Sequence, residues 1–161
     1  MPAKTTLDAY PLERSKIMKK TIGTYLWLLP MTALVLVLCY VFLFKISAIF
    51  CITMTVIFVA LIIIVPIYQS AYYRKYFYDV RSDFLVIKKG VIMVRETILN
   101  YDKLQDVYMD QDLLDRMFGL WDAHVSTATN MSGMEAHIDG VNHNNAEAIR
   151  DLILSKIKKT K

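Results

Sequence analysis

The chain has 161 residues, 55% of them hydrophobic, a net charge of +4 and a mean hydropathy of +0.35. From residue 69 onward, 13 Lys and Arg balance 13 Asp and Glu, so the positive excess lies in the first 45 residues. This distribution excludes the basic face of a nucleic-acid-binding domain and favours basic residues beside membrane segments. Both cysteines, Cys39 and Cys51, lie in apolar runs, which leaves the rest of the chain without a disulfide or a thiol nucleophile.

Residues 1–20 are polar and contain Pro2 and Pro11, and we expect them to form a loose cytoplasmic arm on the membrane surface. Two uncharged apolar runs follow, on either side of Lys45. Each is longer than the roughly 20 residues that a helix needs to cross about 30 Å of hydrocarbon. We therefore predict a two-helix transmembrane hairpin over residues 21–73, with spans at about 22–44 and 46–68.

A cleaved signal peptide is the competing interpretation of a basic N-terminus that precedes an apolar stretch. It fits poorly, because the first run is longer than a signal-peptide core and no small-residue cleavage site precedes Lys45. Neither span contains an acidic residue or a histidine. Since intramembrane ionisable groups mark transport and proton relay, we predict an anchor rather than a pore or carrier.

Cys39 and Cys51 would lie at similar depth in an antiparallel hairpin, each six residues from Lys45. We interpret them as small apolar residues, and a disulfide between them is the alternative.

Basic residues precede the first span and follow the second, whereas the connection holds only Lys45. The positive-inside rule then predicts a multi-pass protein of the cell membrane with both termini cytoplasmic. The same basic residues admit a second interpretation, contact with anionic lipid headgroups, which extends to a predicted hairpin tip. The residues concerned are Lys16, Lys19, Lys20, Arg74, Lys75, Lys88 and Lys89.

After Arg74 the pattern changes to short runs of β-branched and aromatic residues, which predicts antiparallel strands. Lys89-Gly90 supplies a turn, and a C-terminal amphipathic helix begins at Asn142 or Asn144. The predicted fold is an α+β cytoplasmic domain over residues 74–161. Its predicted strands are 76–80, 84–88, 91–97, 98–101, 104–109, 124–127 and 135–138.

No arrangement of residues indicates catalysis. His137 and His143 flank Asp139, but this spacing matches no metal-ligand motif. An acidic cluster at residues 106–115 lacks the glycine and closing glutamate of a calcium loop. A nucleophile elbow and a glycine-rich phosphate loop are also missing from the sequence. We predict no enzyme activity, no cofactor, no metal and no evident small-molecule substrate.

Two stretches carry a resemblance: FLVIKKGVIMVRETILNYDKLQDV at 84–107 and QDLLDRMFGL at 111–120, with HVSTAT at 124–129 after them. They resemble the bacterial pleckstrin-homology (PH) domain of the YdbS-like, membrane-flanked type. The resemblance implies a PH-like β-sandwich, a seven-stranded and partly open barrel closed by a C-terminal helix, with no enzyme activity. Its motif residues are Gly90, Gln111, Leu113, Leu114, Arg116, Gly119 and Leu120.

Within the second stretch, we expect Leu113, Leu114, Met117 and Phe118 to plug the sandwich, with Arg116 at its edge. Two segments depart from the family pattern. Trp121-Asp122 replaces a glycine-rich continuation, and residues 142–145 are unusually polar.

The leading hypothesis is a non-catalytic scaffold: a membrane hairpin that presents a PH-like domain to a membrane-protein partner or a second copy of the chain. The alternative is a domain that senses anionic membrane lipids through Lys88, Lys89 and Arg95, or an accessory subunit of a membrane complex.

Overall fold

The computed structural model describes residues 5–43, 45, 48–127 and 136–160. Its chain forms two compact units. One unit comprises residues 1–16 together with 72–161, and the other comprises residues 17–71. Each unit is considered on its own below.

Two long helices supply the apolar unit. They are α2 (Ser15–Leu38), continued by a π-helical turn at Cys39–Leu43, and α3 (Ala48–Lys75). By length and composition both are able to cross a membrane. Nearly all side chains of their most apolar stretches are exposed or half-buried. The core helix of a soluble protein would instead bury such a surface.

Side-chain hydrogen bonds join α2 to α3 in an antiparallel arrangement. The Tyr25 hydroxyl donates to the carbonyl oxygen of Ile62. That carbonyl would normally accept from the backbone N–H four residues on, but the residue there is Pro66, which has none. Cys39 and Cys51 are both free and buried, and the Cys51 thiol donates to the Cys39 carbonyl oxygen at 3.3 Å.

The second unit contains six strands among its described residues, arranged in two antiparallel sheets of order β1-β2-β3 and β4-β5-β6. A 3-10 turn at Tyr101–Lys103 joins the sheets, and α5 packs against this turn and against β4 and β5. The predicted PH-like fold with a C-terminal helix after two apolar helices is therefore confirmed. The elements are α1 (Thr6–Ala9), β1 (Phe77–Val80), β2 (Phe84–Lys89), β3 (Arg95–Asn100), β4 (Leu104–Asp110), α4 (Leu113–Phe118), β5 (Trp121–Thr127), β6 (Ala136–Val141) and α5 (His143–Thr160).

The core of this unit follows the periods read from the sequence. β1 alternates between half-buried and buried positions, with Tyr78 and Val80 inside. The helical spacing of apolar residues in the C-terminal segment predicts an inward face made of Ala146, Ile149, Leu152, Ile153 and Ile157. In α5 all of these are buried except Leu152, which is partly buried. The helix therefore covers the open side of the sheets with one apolar stripe.

Four strand predictions need correction, and one of them, 98–101, is not a separate strand but the continuation of β3. The predicted strand at 91–97 begins only at Arg95, because Gly90 takes φ +116° and the chain turns through 91–94. β5 begins at Trp121, earlier than predicted, and β6 continues to Val141. The described residues hold six strands where the resemblance implied seven. The first residue of the strand predicted at 135–138 lies outside the described residues.

The described part of the N-terminal arm up to Lys16, residues 5–16, is folded onto the domain instead of lying loose. A capping box between Thr5 and Asp8 starts α1, and α1 packs against β1. Thr6 and Leu12 are buried, and Leu12 belongs to the same core as the sheets. Residues from both ends of the chain therefore build one hydrophobic core.

Candidate interaction site

The family-motif block forms a rigid, closed loop. Asp112 and Asp115 cap α4 reciprocally, because each side chain accepts a hydrogen bond from the other residue's backbone N–H. Gly119 ends the helix in the left-handed conformation at φ +65°. The Gln111 side-chain amide donates to the Leu120 carbonyl oxygen at 2.8 Å, which ties the two ends of the block together.

The outward face of α4 is apolar, contrary to the expectation that its large side chains plug the sandwich. Leu113 and Met117 are 75% and 70% exposed. These residues are four apart and so share one face of the helix. Inside the block, the buried positions are Asp115 and Leu120. Leu114 and Phe118 are half-buried and Arg116 is exposed.

The predicted basic contacts divide into three groups by exposure. Arg74, Lys75 and Lys88 are exposed, and Lys20 and Lys89 are half-buried. Lys16 and Lys19 are only 1% and 5% exposed. Lys16, predicted as a membrane-surface contact, has its ammonium inside the folded unit.

Lys16 joins a buried cluster with Asp139. Its Nζ lies 3.1 Å from Asp139 Oδ1 and donates to the Asp139 carbonyl oxygen at 2.8 Å. The same ammonium lies 3.6 Å from the ring centroid of Tyr76, a cation–π contact. Lys89 approaches Asp139 Oδ1 at 3.8 Å and donates to the His137 carbonyl oxygen at 2.6 Å. The cluster thus fixes the end of the arm to β6 and β2.

Further hydrogen bonds hold the arm to the start of α5. The Asn142 side-chain amide donates to Glu13 Oε1 at 3.0 Å, and that of Asn145 donates to the Pro11 carbonyl oxygen at 3.3 Å. The Glu13 backbone N–H donates to Gly140 O at 2.9 Å. The polar segment at 142–145, which departs from the family pattern, therefore contacts the folded arm.

Buried tyrosine hydroxyls add hydrogen bonds within the domain and from the domain to the arm. Burial and the adjacent Asp139 carboxylate raise the pKa of Tyr76 well above its usual range. Its neutral hydroxyl donates to the His137 carbonyl oxygen at 3.0 Å. Burial likewise raises the pKa of Tyr78, whose hydroxyl donates to the Tyr10 carbonyl oxygen. It also raises the pKa of Tyr101 to about 12.

Asp79 binds the first residue of α1. Its Oδ1 accepts from the Thr6 backbone N–H at 2.9 Å and from the Thr6 hydroxyl at 3.0 Å, and Arg81 Nε lies 3.2 Å from Oδ2. Burial alone would raise the pKa of Asp79. The hydrogen bonds from Thr6 and the charge of Arg81 outweigh that effect and lower the pKa below its usual 3.8.

This depressed pKa predicts how stability depends on pH. The stabilisation is complete above the unfolded value near 3.8 and is lost as the pH falls through the lower folded value. We therefore expect Asp79→Asn to lower the free energy of unfolding at pH 7 by about 1.5–3 kcal/mol, as for hydrogen bonds to charged groups. Denaturant unfolding of both chains should show this difference shrink below pH 4, and a constant difference would contradict the assignment.

Among the residues that the structure describes, one group of side chains could hold a metal ion. Asp110, Asp122 and His124 each offer a ligand atom, and these atoms lie within 4.8 Å of one another. His124 Nε2 already lies 3.0 Å from Asp110 Oδ1, and Asp122 Oδ1 accepts from the Gly140 N–H at 2.7 Å. These contacts explain the cluster as a polar network on β4 and β5.

The histidines considered from the sequence lie differently. The ring of His137 stacks on His124 at 5.3 Å, and that of His143 packs against Trp121 at 4.8 Å. Asp139, which separates them in the sequence, pairs with Lys16. The structure therefore brings neither histidine into a shared ligand set with Asp139.

Comparison with known proteins supports the architecture. The sequence profile described as Bacterial PH domain matches residues 25–157, which is more than half of the 161 residues. The matched region runs from within α2 to within α5 and so includes both apolar helices and the sheets. No curated protein and no solved structure matches the chain. The chain belongs to the bacterial PH domain family.

Proposed function

We propose that this protein is a non-catalytic scaffold of the cell membrane, anchored by α2 and α3, whose PH-like unit binds another protein or a second copy of the chain. The apolar surface of both helices and the basic residues at their outer ends support the membrane location. The same charges support cytoplasmic termini and the YdbS-like layout.

The observation that carries the binding role is the exposed apolar pair on α4. Exposing large apolar side chains to water is unfavourable, so a partner that covers neighbouring ones on a folded surface gains binding free energy. Leu113 and Met117 are held in place by the capping box, Gly119 and the Gln111 bond. An apolar pair on a backbone held in this way suits a protein contact, because little backbone ordering remains to oppose binding.

A photo-crosslinking amino acid placed at Leu113 or Met117 tests this role in native membranes. We expect products larger than the single chain from both positions, and none from a control at the exposed Asp102. Recovery of monomer alone from both positions, or equal products from the control, would contradict the proposal.

The double variant Leu113→Ser/Met117→Ser separates binding from folding. Both positions are mostly exposed, so we expect a change in the free energy of unfolding within about 0.5 kcal/mol. Crosslinking from a neighbouring reporter at Arg116 should nevertheless fall sharply. Retained crosslinking would move the contact elsewhere on the unit.

Sensing of anionic lipid through Lys88, Lys89 and Arg95 has less support. Lys88 Nζ lies 3.7 Å from Glu96 Oε2, and Lys89 is engaged with His137 and Asp139. Two of the three proposed cations therefore already have acceptors within the domain.

A further inference from the structure

The loop that joins β2 to β3 exposes three consecutive apolar side chains. Ile92 and Met93 are each 86% exposed, and Val94 is 53% exposed. In the described part of residues 72–161, no other large apolar side chain is as exposed as Ile92 and Met93. Apolar side chains exposed together at a hairpin tip mark a site that contacts another apolar surface.

The backbone holds this loop in a tight reversal. Gly90 takes φ +116°, and a Cβ built there would lie 2.0 Å from the Met93 carbonyl oxygen. The approach of residue 93 to residue 90 therefore requires glycine. The apolar tip is preorganised, so its insertion would require little further ordering.

The tip lies close to the point where the chain leaves the apolar run. Lys75 Nζ donates to the Val91 carbonyl oxygen at 3.3 Å, and both residues belong to the same compact unit. Lys75 is only two residues beyond Tyr73, the last residue of the second uncharged run. From the predicted end of the span at about residue 68, the seven helical residues to Lys75 rise about 10 Å, so the Lys75 contact tethers the loop to a point of the chain about 10 Å from the hydrocarbon.

Four exposed basic residues lie near the loop. Arg95 follows it directly, Lys88 lies three residues before Val91, and Arg74 adjoins Lys75, which contacts Val91. The Lys88–Glu96 pair at 3.7 Å is exposed and therefore weak enough to exchange for a headgroup. A protein pocket for three apolar side chains would not require these cations. A bilayer interface would, because it offers acyl chains to the tip and anionic headgroups to the lysine and arginine side chains.

We propose that the Val91–Val94 loop inserts into the headgroup–acyl boundary of the leaflet from which α3 emerges. The loop then gives the PH-like unit a second membrane contact besides its covalent connection to α3. This inference rests on the membrane location given under the proposed function and is independent of the protein-binding role of α4.

The test uses the full chain in nanodiscs of phosphatidylcholine and phosphatidylglycerol, with single cysteines at chosen sites. Met93→Cys is the test site. Ser82→Cys is the matched control, because Ser82 is exposed in the β1–β2 loop at the opposite end of β2, about 20 Å away along six strand residues. The native Cys39 and Cys51 are buried, and the parent chain measures their background.

A membrane-impermeant maleimide should alkylate Met93→Cys at least about tenfold more slowly than Ser82→Cys, since burial of one large apolar side chain shifts a population by at least that factor. A fluorophore on Met93→Cys should be quenched by nitroxide-labelled lipid, and one on Ser82→Cys should not. Adding Ile92→Asp to Met93→Cys should raise the alkylation rate toward that of the control.

Equal alkylation rates at Met93→Cys and Ser82→Cys would overturn the inference. Protection from alkylation without quenching by nitroxide lipid would also overturn it, because a protein would then cover the loop. Trp27→Cys, at an 80% exposed position of α2, reports separately on the membrane anchor. Loss of quenching at that site would refute the membrane location itself, whereas quenching there but not at Met93→Cys refutes only the loop insertion.

Discussion

Replacing Asp139 with asparagine is expected to lower the free energy of unfolding by about 3–5 kcal/mol, the usual effect of breaking a buried ion pair. Asp139 and Lys16 side chains are 3% and 2% exposed, with 3.1 Å between Oδ1 and Nζ. Asparagine preserves the shape but removes the charge. The Lys16 ammonium would then be buried beside the Tyr76 ring without its carboxylate, and Lys89 would lose the same carboxylate.

Denaturant unfolding of the full chain in detergent measures this effect through Trp121. The chain has two tryptophans, so a Trp27→Phe background makes Trp121 the only one and reports on the folded unit. The double variant Lys16→Met/Asp139→Asn is the control. We expect it to be more stable than Asp139→Asn alone, because it removes the buried cation together with its partner.

An Asp139→Asn chain within about 1 kcal/mol of the parent would show that the pair is well hydrated and would contradict this account. A double variant less stable than either single variant would show that Lys16 stabilises the unit through contacts other than the Asp139 carboxylate, namely its hydrogen bond to the Asp139 carbonyl oxygen, its contact with the Tyr76 ring and its packing. Its aliphatic chain does pack closely, since a Cβ at Gly140 would lie 2.6 Å from Lys16 Cδ.

The apolar helices and most strands could be predicted because their signals are local. An uncharged run of the right length predicts a membrane-spanning helix whatever surrounds it. The predicted strands at 84–88 and 104–109 each differ from the structure by one residue at the C-terminal end. In α5 the helical spacing of apolar residues identified the face that packs on the sheets.

The folded arm could not be predicted, because its signal is distributed over distant parts of the sequence. Thr6 binds Asp79, Lys16 binds Asp139 and Glu13 binds Asn142, and each of these pairs is separated by more than 70 residues. Read locally, a lysine before an apolar run indicates membrane topology. Only the fold shows that the carboxylate that pairs with Lys16, that of Asp139, lies on β6.

The motif block shows why apolar character alone misplaced side chains. Leu113 and Met117 are apolar and share a helix face, so they were expected to point inward. The capping box instead directs Asp115 into the domain, and Leu120 after the Gly119 turn fills the core. In this helix of six residues, the caps have more influence than the apolar residues on which face is buried.

The sequence Val91-Ile92-Met93-Val94 predicts a strand at 91–94, because these residues have high strand propensity. Strand propensity does not determine the conformation of these residues, because the chain already turns at Gly90. The same misreading concealed the exposure of Ile92 and Met93, since residues assigned to a strand are expected to pair and to be half-buried.

Gly90→Ala is accordingly expected to lower the free energy of unfolding by about 3 kcal/mol, or to rebuild the loop, because strained backbone and a steric clash add together. The new Cβ would lie 2.0 Å from the Met93 carbonyl oxygen, a backbone atom that cannot rotate away. Gly119→Ala is the matched control. At φ +65° it meets nothing within 4 Å, so only the left-handed backbone penalty of about 1–2 kcal/mol applies.

The same Trp121 unfolding measurement compares the two alanine variants. A larger loss for Gly90→Ala than for Gly119→Ala would show that the close approach of residue 93, and not positive φ alone, requires glycine at this turn. Equal losses would mean that the loop relaxes freely around the added methyl group. In that case the tip would not be rigid, and the preorganisation assigned to Ile92 and Met93 would be wrong.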